Sequence, residues 1–234
     1  MQKNQRVLGS LALATVLITA ACAAPRMVPP ADVSTISNAF EARDRSHSTG
    51  MLADESFELG AYHVDEVDRD ATSKSGFSVG DYGNSETTTG YTYSLTSGPA
   101  NVKGACGSLA KRKSVSMGGG SSADWGSTEI TCRCTIGDAM SEIRLAGLQG
   151  ANAGTVRLPE HGALTVTAVN ETDKSNFSST IPGFRVDSPN GPVGAVETLY
   201  PGKVWIERET TGTDADHLAC LFVGLMLYVP PSDH

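Results

Sequence analysis

No stretch of this chain is long enough to cross a bilayer as an apolar helix. Its two apolar runs, residues 7–18 and 217–229, are about 12 and 13 residues long, against the roughly 20 that a spanning helix needs. Basic residues are scarce as well. Eighteen Lys and Arg face 26 Asp and Glu, for a net charge of −8. That balance excludes a nucleic-acid partner, whose phosphates demand a basic face. It also argues against broad electrostatic adhesion to anionic lipid.

Catalytic and metal signatures are missing too. No nucleophile elbow is expected between a strand and a helix. Gly118-Gly119-Gly120 precedes no Lys-Ser or Lys-Thr pair, so it is not a phosphate loop. The cysteines match no common zinc spacing. The acidic run Asp65 to Asp70 lacks the Gly and the distant Glu of a calcium loop and reads as a solvated hairpin tip. His63, His161 and His217 fall in a strand, a turn and a helix start, with no local nucleophile. The chain is expected to be no enzyme and to use no metal or cofactor.

What is present reads as β. Glycine is plentiful at 25 residues and apolar content is 39%, and Gly-rich turns with many Thr and Val suit a β domain. Residues 57–63 and 77–79 suggest strands. Tyr91, Tyr93 and Leu95 alternate with Thr92, Ser94 and Thr96, so one face is buried and the other wet. Residues 98–126 show no sustained period and read as an irregular hairpin excursion. Ile130, Cys132, Cys134 and Ile136 share a face of the next strand. Further strands are expected at 140–148, 154–158, 164–169, 184–187, 193–199 and 203–208, with turns at Pro189-Asn190-Gly191 and Pro201-Gly202.

The end differs. Thr213 to Asp216 supplies a helix start with well-placed acidic groups. The run 217–229 is apolar on every side and stops at Pro230-Pro231. A helix of that kind must be buried in protein, although one more central strand is the alternative. The expected fold is mainly β. It is a single antiparallel barrel or closed sandwich of about ten strands, over residues 55–234, around an apolar C-terminal helix at about 213–229.

The N-terminus carries an address. Lys3 and Arg6 precede the apolar run, and Thr19-Ala20-Ala21-Cys22 follows it. A basic start, a short apolar stretch and small residues describe an export signal. This segment resembles a bacterial lipoprotein signal peptide, with Thr19 where that family prefers Leu. The resemblance implies a leader over 1–21 and a lipidated Cys22 with thioether-linked diacylglycerol and an N-acyl chain such as palmitate. Several chains anchor stably, at about 0.8 kcal/mol per buried methylene. Ala23 in place of Asp implies outer-membrane delivery, on the periplasmic face or the surface. Removing Lys3 and Arg6 with the leader takes the charge from −8 to −10. Residues 22–54 hold Pro25, Pro29 and Pro30 and are expected to be a flexible tether.

Four other cysteines, Cys106, Cys132, Cys134 and Cys220, are expected to form disulfides in an exported protein. Cys132 and Cys134 share a strand face and are poorly placed for each other. Cys106 is therefore expected to pair with one of them, at about 3 kcal/mol of chain entropy. Cys220 takes the leftover or stays a buried thiol. Lys111, Arg112, Lys113 and Trp125 make up the candidate contact surface, because the basic triplet and an aromatic flank one loop. Ten strands followed by an apolar C-terminal helix resemble the tubby C-terminal-like architecture, shared with LURP-one-related proteins and scramblases. The resemblance implies a closed barrel with that helix as its core. Residues 183–186, 191–196 and 204–206 are similar to its final hairpins. An echo at an offset of 107 pairs Gly76, Phe77 and Val79 with Gly183, Phe184 and Val186.

The expected role is a lipid-anchored, non-enzymatic binding or assembly module of the cell envelope, with an envelope protein as partner. A lipid- or hydrophobic-ligand barrel is the alternative, and an envelope hydrolase comes third.

Overall fold

The computed structural model describes residues 24–46, 55–98, 100–119, 121–148, 150–174 and 181–230. Cys22 and the leader lie outside the described residues. The chain begins with a short helix α1 (Ala31–Ile36) and strand β1 (Ser37–Arg43). A hairpin follows, β2 (Phe57–Leu59) and β3 (Tyr62–Arg69), then β4 (Ser73–Val79) and three long strands, β5 (Tyr82–Ser97), β6 (Ala100–Gly118) and β7 (Ser121–Ile136). An antiparallel meander continues through β8 (Ala139–Leu148), β9 (Ala153–Leu158), β10 (Gly162–Val169), β11 (Gly183–Ser188), β12 (Gly191–Glu197) and β13 (Lys203–Glu207). Helix α2 (Gly212–Leu227) ends the fold.

Twelve of these strands close into an antiparallel barrel. β13 returns to β1, with Ala39 opposite Trp205, and β3 pairs with β5 to complete the ring. β4 stands outside it, hydrogen-bonded to the first half of β5. The lumen holds α2, whose Leu218, Leu221, Phe222, Leu225, Met226 and Leu227 are all but inaccessible to solvent. Burying each such side chain contributes about 1.5–3 kcal/mol, so the helix supplies the centre that the strand faces need. Tyr91, Tyr93 and Leu95 point inward as their alternation predicts. The Tyr91 hydroxyl donates to the Gly224 carbonyl at 2.5 Å and Tyr93 to that of Cys220 at 2.9 Å. Gly224 sits where any Cβ would lie 2.6 Å from Cys106 Sγ and 2.7 Å from Tyr93 Oη. That closeness accounts for a residue that otherwise costs a helix about 1 kcal/mol.

The cysteines pair as Cys106–Cys132 and Cys134–Cys220. The first joins residues directly opposite on β6 and β7. The second fastens the helix to the barrel wall. Cys220, left open by the sequence, is thus the covalent link between core and shell.

Several expectations are corrected. Residues 22–54 are not all tether. Arg26 to Arg43 is built into the body, because β1 supplies backbone partners to β2 and β13 and α1 covers the outside of β12 and β13. Met27, Val33, Ala195 and Trp205 form a small second core there, on the outside of the barrel wall. Residues 47–54 lie outside the described residues. Residues 57–63 are two strands, not one, turning at Gly60, whose φ of +66° favours glycine. The acidic run is no hairpin tip. It lies mostly on β3, where a bulge between Asp65 and Asp68 turns Glu66 toward the Ser94 hydroxyl at 2.5 Å. Residues 98–126 are regular: β6 and β7 pair from Lys103–Thr135 out to Gly118–Ser121.

Candidate functional site at the open end

The two ends of α2 define two ends of the barrel. At the C-terminal end the last helical carbonyls lack partners within the helix, as in any helix. Two arginines meet them. Arg45 donates to the Met226 carbonyl and Arg69 to the Leu227 carbonyl, each at 2.9 Å. Glu55, 5% exposed, bridges both guanidinium groups at 3.0 and 2.7 Å. Positive charge here also complements the helix dipole. Arg45 stacks against Phe57 and Tyr200, and Arg69 against Tyr91. No local pattern announces this clamp, since its members come from separate strand ends.

Beside the clamp the barrel opens into a cavity of about 410 Å³. It exists because β5, β6 and β7 run on past the rim, and with β4 they form a free-standing arm over residues 73–88 and 111–126. Ile130, Ala151, Ile181, Phe184, Tyr228 and Pro230 form the apolar wall, with Arg112, Asp124, Thr128 and Thr198 as the polar one. Gly126 lies opposite Arg112 in the β6–β7 register, and a Cβ there would come within 2.3 Å of the Lys111 carbonyl. Burial raises the Tyr228 hydroxyl above its ordinary range, against a hydrogen bond from Ser108 and the charge of Arg112, so it is a neutral donor at physiological pH.

Three of the four sequence-nominated contact residues, Lys111, Arg112 and Trp125, line this cavity. Lys113 faces Trp125 across the β6–β7 pair. The arm's outward face carries Phe77, Asn84, Lys113 and Trp125 in one cross-strand row and Val79, Tyr82, Val115 and Ala123 in the next. Nine large apolar side chains are exposed among the described residues. Phe77, Val79, Tyr82, Met117 and Trp125 sit on the arm, and Leu148, Tyr200 and Val229 sit at the same rim; Met140 alone lies at the other end.

That other end is plugged by polar pairs. The Asp214 carboxylate, 1% exposed, meets His161 Nδ1. Tyr62 donates to Asp216 at 2.9 Å. His217 Nδ1 and Ser141 Oγ share a bond of 2.8 Å, while His217 Nε2 has no partner among the described residues. Burial lowers the His217 pKa, against the pull of Asp214 and Asp216. A hydrolytic serine needs solvent access and a base steadied by a carboxylate. Here Ser141 and His217 are 1% and 0% exposed, and Asp214 is engaged by His161. Gly76-Phe77-Ser78-Val79-Gly80 does have the Gly-x-Ser-x-Gly spelling of a nucleophile elbow. Ser78 nevertheless lies on the extended edge strand β4, which turns back into β5 and opens no helix.

Among the described residues no three His, Cys, Asp or Glu converge as metal ligands, and no helix is long and apolar enough to cross a membrane. No family model, curated protein or solved structure matches the chain.

Proposed function

We propose that the chain is a lipid-anchored, non-enzymatic binding module of the cell envelope, and that it works through the cavity and arm at the open end. The observation that carries this reading is the cavity of about 410 Å³. A recess with an apolar wall and a few polar groups is the usual form of a binding site. The lumen itself is filled by α2, so a hydrophobic-ligand role belongs at the rim. An amphiphile whose acidic group meets Arg112 and whose apolar part meets Phe184 and Ile181 suits the lining. The basic start, the short apolar run and Thr19-Ala20-Ala21-Cys22 support the anchor. The closed barrel around a C-terminal helix has the same general plan as the tubby-like architecture.

The test uses anilinonaphthalene sulfonate, an anionic aromatic amphiphile. Saturable fluorescence enhancement, lost in Arg112→Glu without change in the far-ultraviolet spectrum, is the expected outcome. No saturable enhancement would remove the ligand seat. An envelope protein that co-purifies with the intact chain but not with an arm-deleted one would favour the assembly form. Intact mass of the membrane-extracted protein tests Cys22 lipidation directly.

A further inference from the structure

The first described residues enter the body at the open end. Arg26 clasps Glu197, the last residue of β12, at 2.7 Å and reaches Glu41 at 2.7 Å. The Met27 amide donates to the same Glu197 carboxylate at 2.6 Å, and Glu197 is 1% exposed. From there the chain runs down the outside of the barrel to α1, and β1 returns to the rim. The point at which the N-terminal segment leaves the body is therefore fixed, and it lies at the rim that carries the cavity and the arm.

Arg26 lies four Cα steps beyond Cys22. In any conformation they reach at most about 14 Å. The arm extends further: from Lys111 to Gly118, at strand rise, it projects roughly 23 Å. With the barrel upright, the arm meets a bilayer before the leash is taut. The exposed apolar side chains are gathered at this end, and large exposed patches mark interaction surfaces. Trp and Tyr are among them, the side chains that favour the membrane–water boundary. The chain's net charge of −8 means that docking must rest on apolar contact rather than on anionic lipid.

We propose that the open end is a membrane-docking face. The barrel stands end-on to the bilayer, with the outward face of the arm in the headgroup and upper acyl region and the cavity mouth opening onto lipid. This rests on the lipid-anchor reading above, and the experiment separates the two.

The full chain, extracted from membranes, is reconstituted into zwitterionic phosphatidylcholine vesicles that carry a shallow nitroxide-labelled lipid. The chain has two tryptophans, and Trp205, 5% exposed, is the internal reference. Trp125 emission is expected to shift to the blue and to be mostly quenched. The quenchable part disappears in Trp125→Phe and shrinks in the Phe77→Ser/Val79→Ser double variant. Acylated, vesicle-bound protein whose Trp125 is untouched by the quencher overturns docking and leaves the anchor standing. If intact mass shows no acyl group, quenching on simple mixing with vesicles still supports the docking face, and no quenching overturns it. Trp125 shielded from acrylamide in isolated envelopes but open in vesicles gives the face to a protein partner, which also overturns the proposal.

Discussion

β6 is one strand with two characters. From Val102 to Ala110 every second residue is buried; from Lys111 to Gly118 none is. Its neighbours β5 and β7 change at the same level, and β4 is exposed throughout. Strand pairing continues unbroken across the boundary, so hydrogen bonding does not account for the difference. What changes is the presence of α2 behind the sheet. The backbone ladder sets the shape of both regions, but burial against the helix stabilises only one. The other half of each strand is left free for contact.

The sharpest way to break this comparison is to place the same charge in each region. Leu221→Asp puts an unpaired carboxylate in the lumen, at a cost of several kcal/mol, and is expected to abolish the protease-resistant core. Val79→Asp on the arm is expected to leave stability within about 0.5 kcal/mol. Equal protease sensitivity of the two variants would refute the distinction. Next in size is the Cys134–Cys220 bond, which closes a separation of 86 residues. Chain entropy assigns it about 4–5 kcal/mol. The Cys134→Ser/Cys220→Ser pair should lower the urea midpoint more than Cys106→Ser/Cys132→Ser does, whose loop of 26 residues is worth about 1 kcal/mol less.

Glu55→Gln removes the carboxylate between two rim arginines and is expected to cost about 3 kcal/mol, as for breaking a buried pair. Thermal melts would show whether the rim stabilises the helix or merely borders it. The smallest effect concerns pH. Burial depresses the His217 pKa below its ordinary 6.5, so the unfolded chain binds a proton that the folded chain resists. Stability is then flat above about pH 6.5 and declines as pH falls below it, until His217 itself is protonated in the fold. His217→Gln should flatten the melting temperature between pH 7 and 5. Glu41 and Glu142, whose pKa values are lowered chiefly by hydrogen bonds from Arg26 and Arg144, titrate below that window.

The barrel interior was largely readable from sequence, because burial on one face imposes a period of two and burial on all sides gave α2 its unbroken apolar run. The arm was not readable, since a strand wet on both faces carries no such period; 98–126 therefore looked irregular. Phe77 and Phe184 make the point. They echo each other at an offset of 107, yet Phe77 is 59% exposed on β4 and Phe184 is 5% exposed in the barrel. β1 was hidden among prolines and charges because its value lies in backbone partners rather than apolar side chains. The candidate contact residues were found by composition. Their apolar counterparts, Ile181 and Phe184 at the start of β11 and Tyr228 after α2, come from two distant segments that only the closed barrel brings to the rim.

The placement of the core in the last helix bears on how the protein is made. Strands β2 to β13 leave the ribosome before the residues that fill them. β1 waits for a partner some 160 positions downstream, a pairing whose loop-closure cost slows folding. A nascent or truncated chain that ends before Gly212 has a wall and no centre. It remains open to proteases and to its own sticky strand edges. The helix α2 therefore sets the point of closure: only a chain that has reached it can wrap its strands around a core.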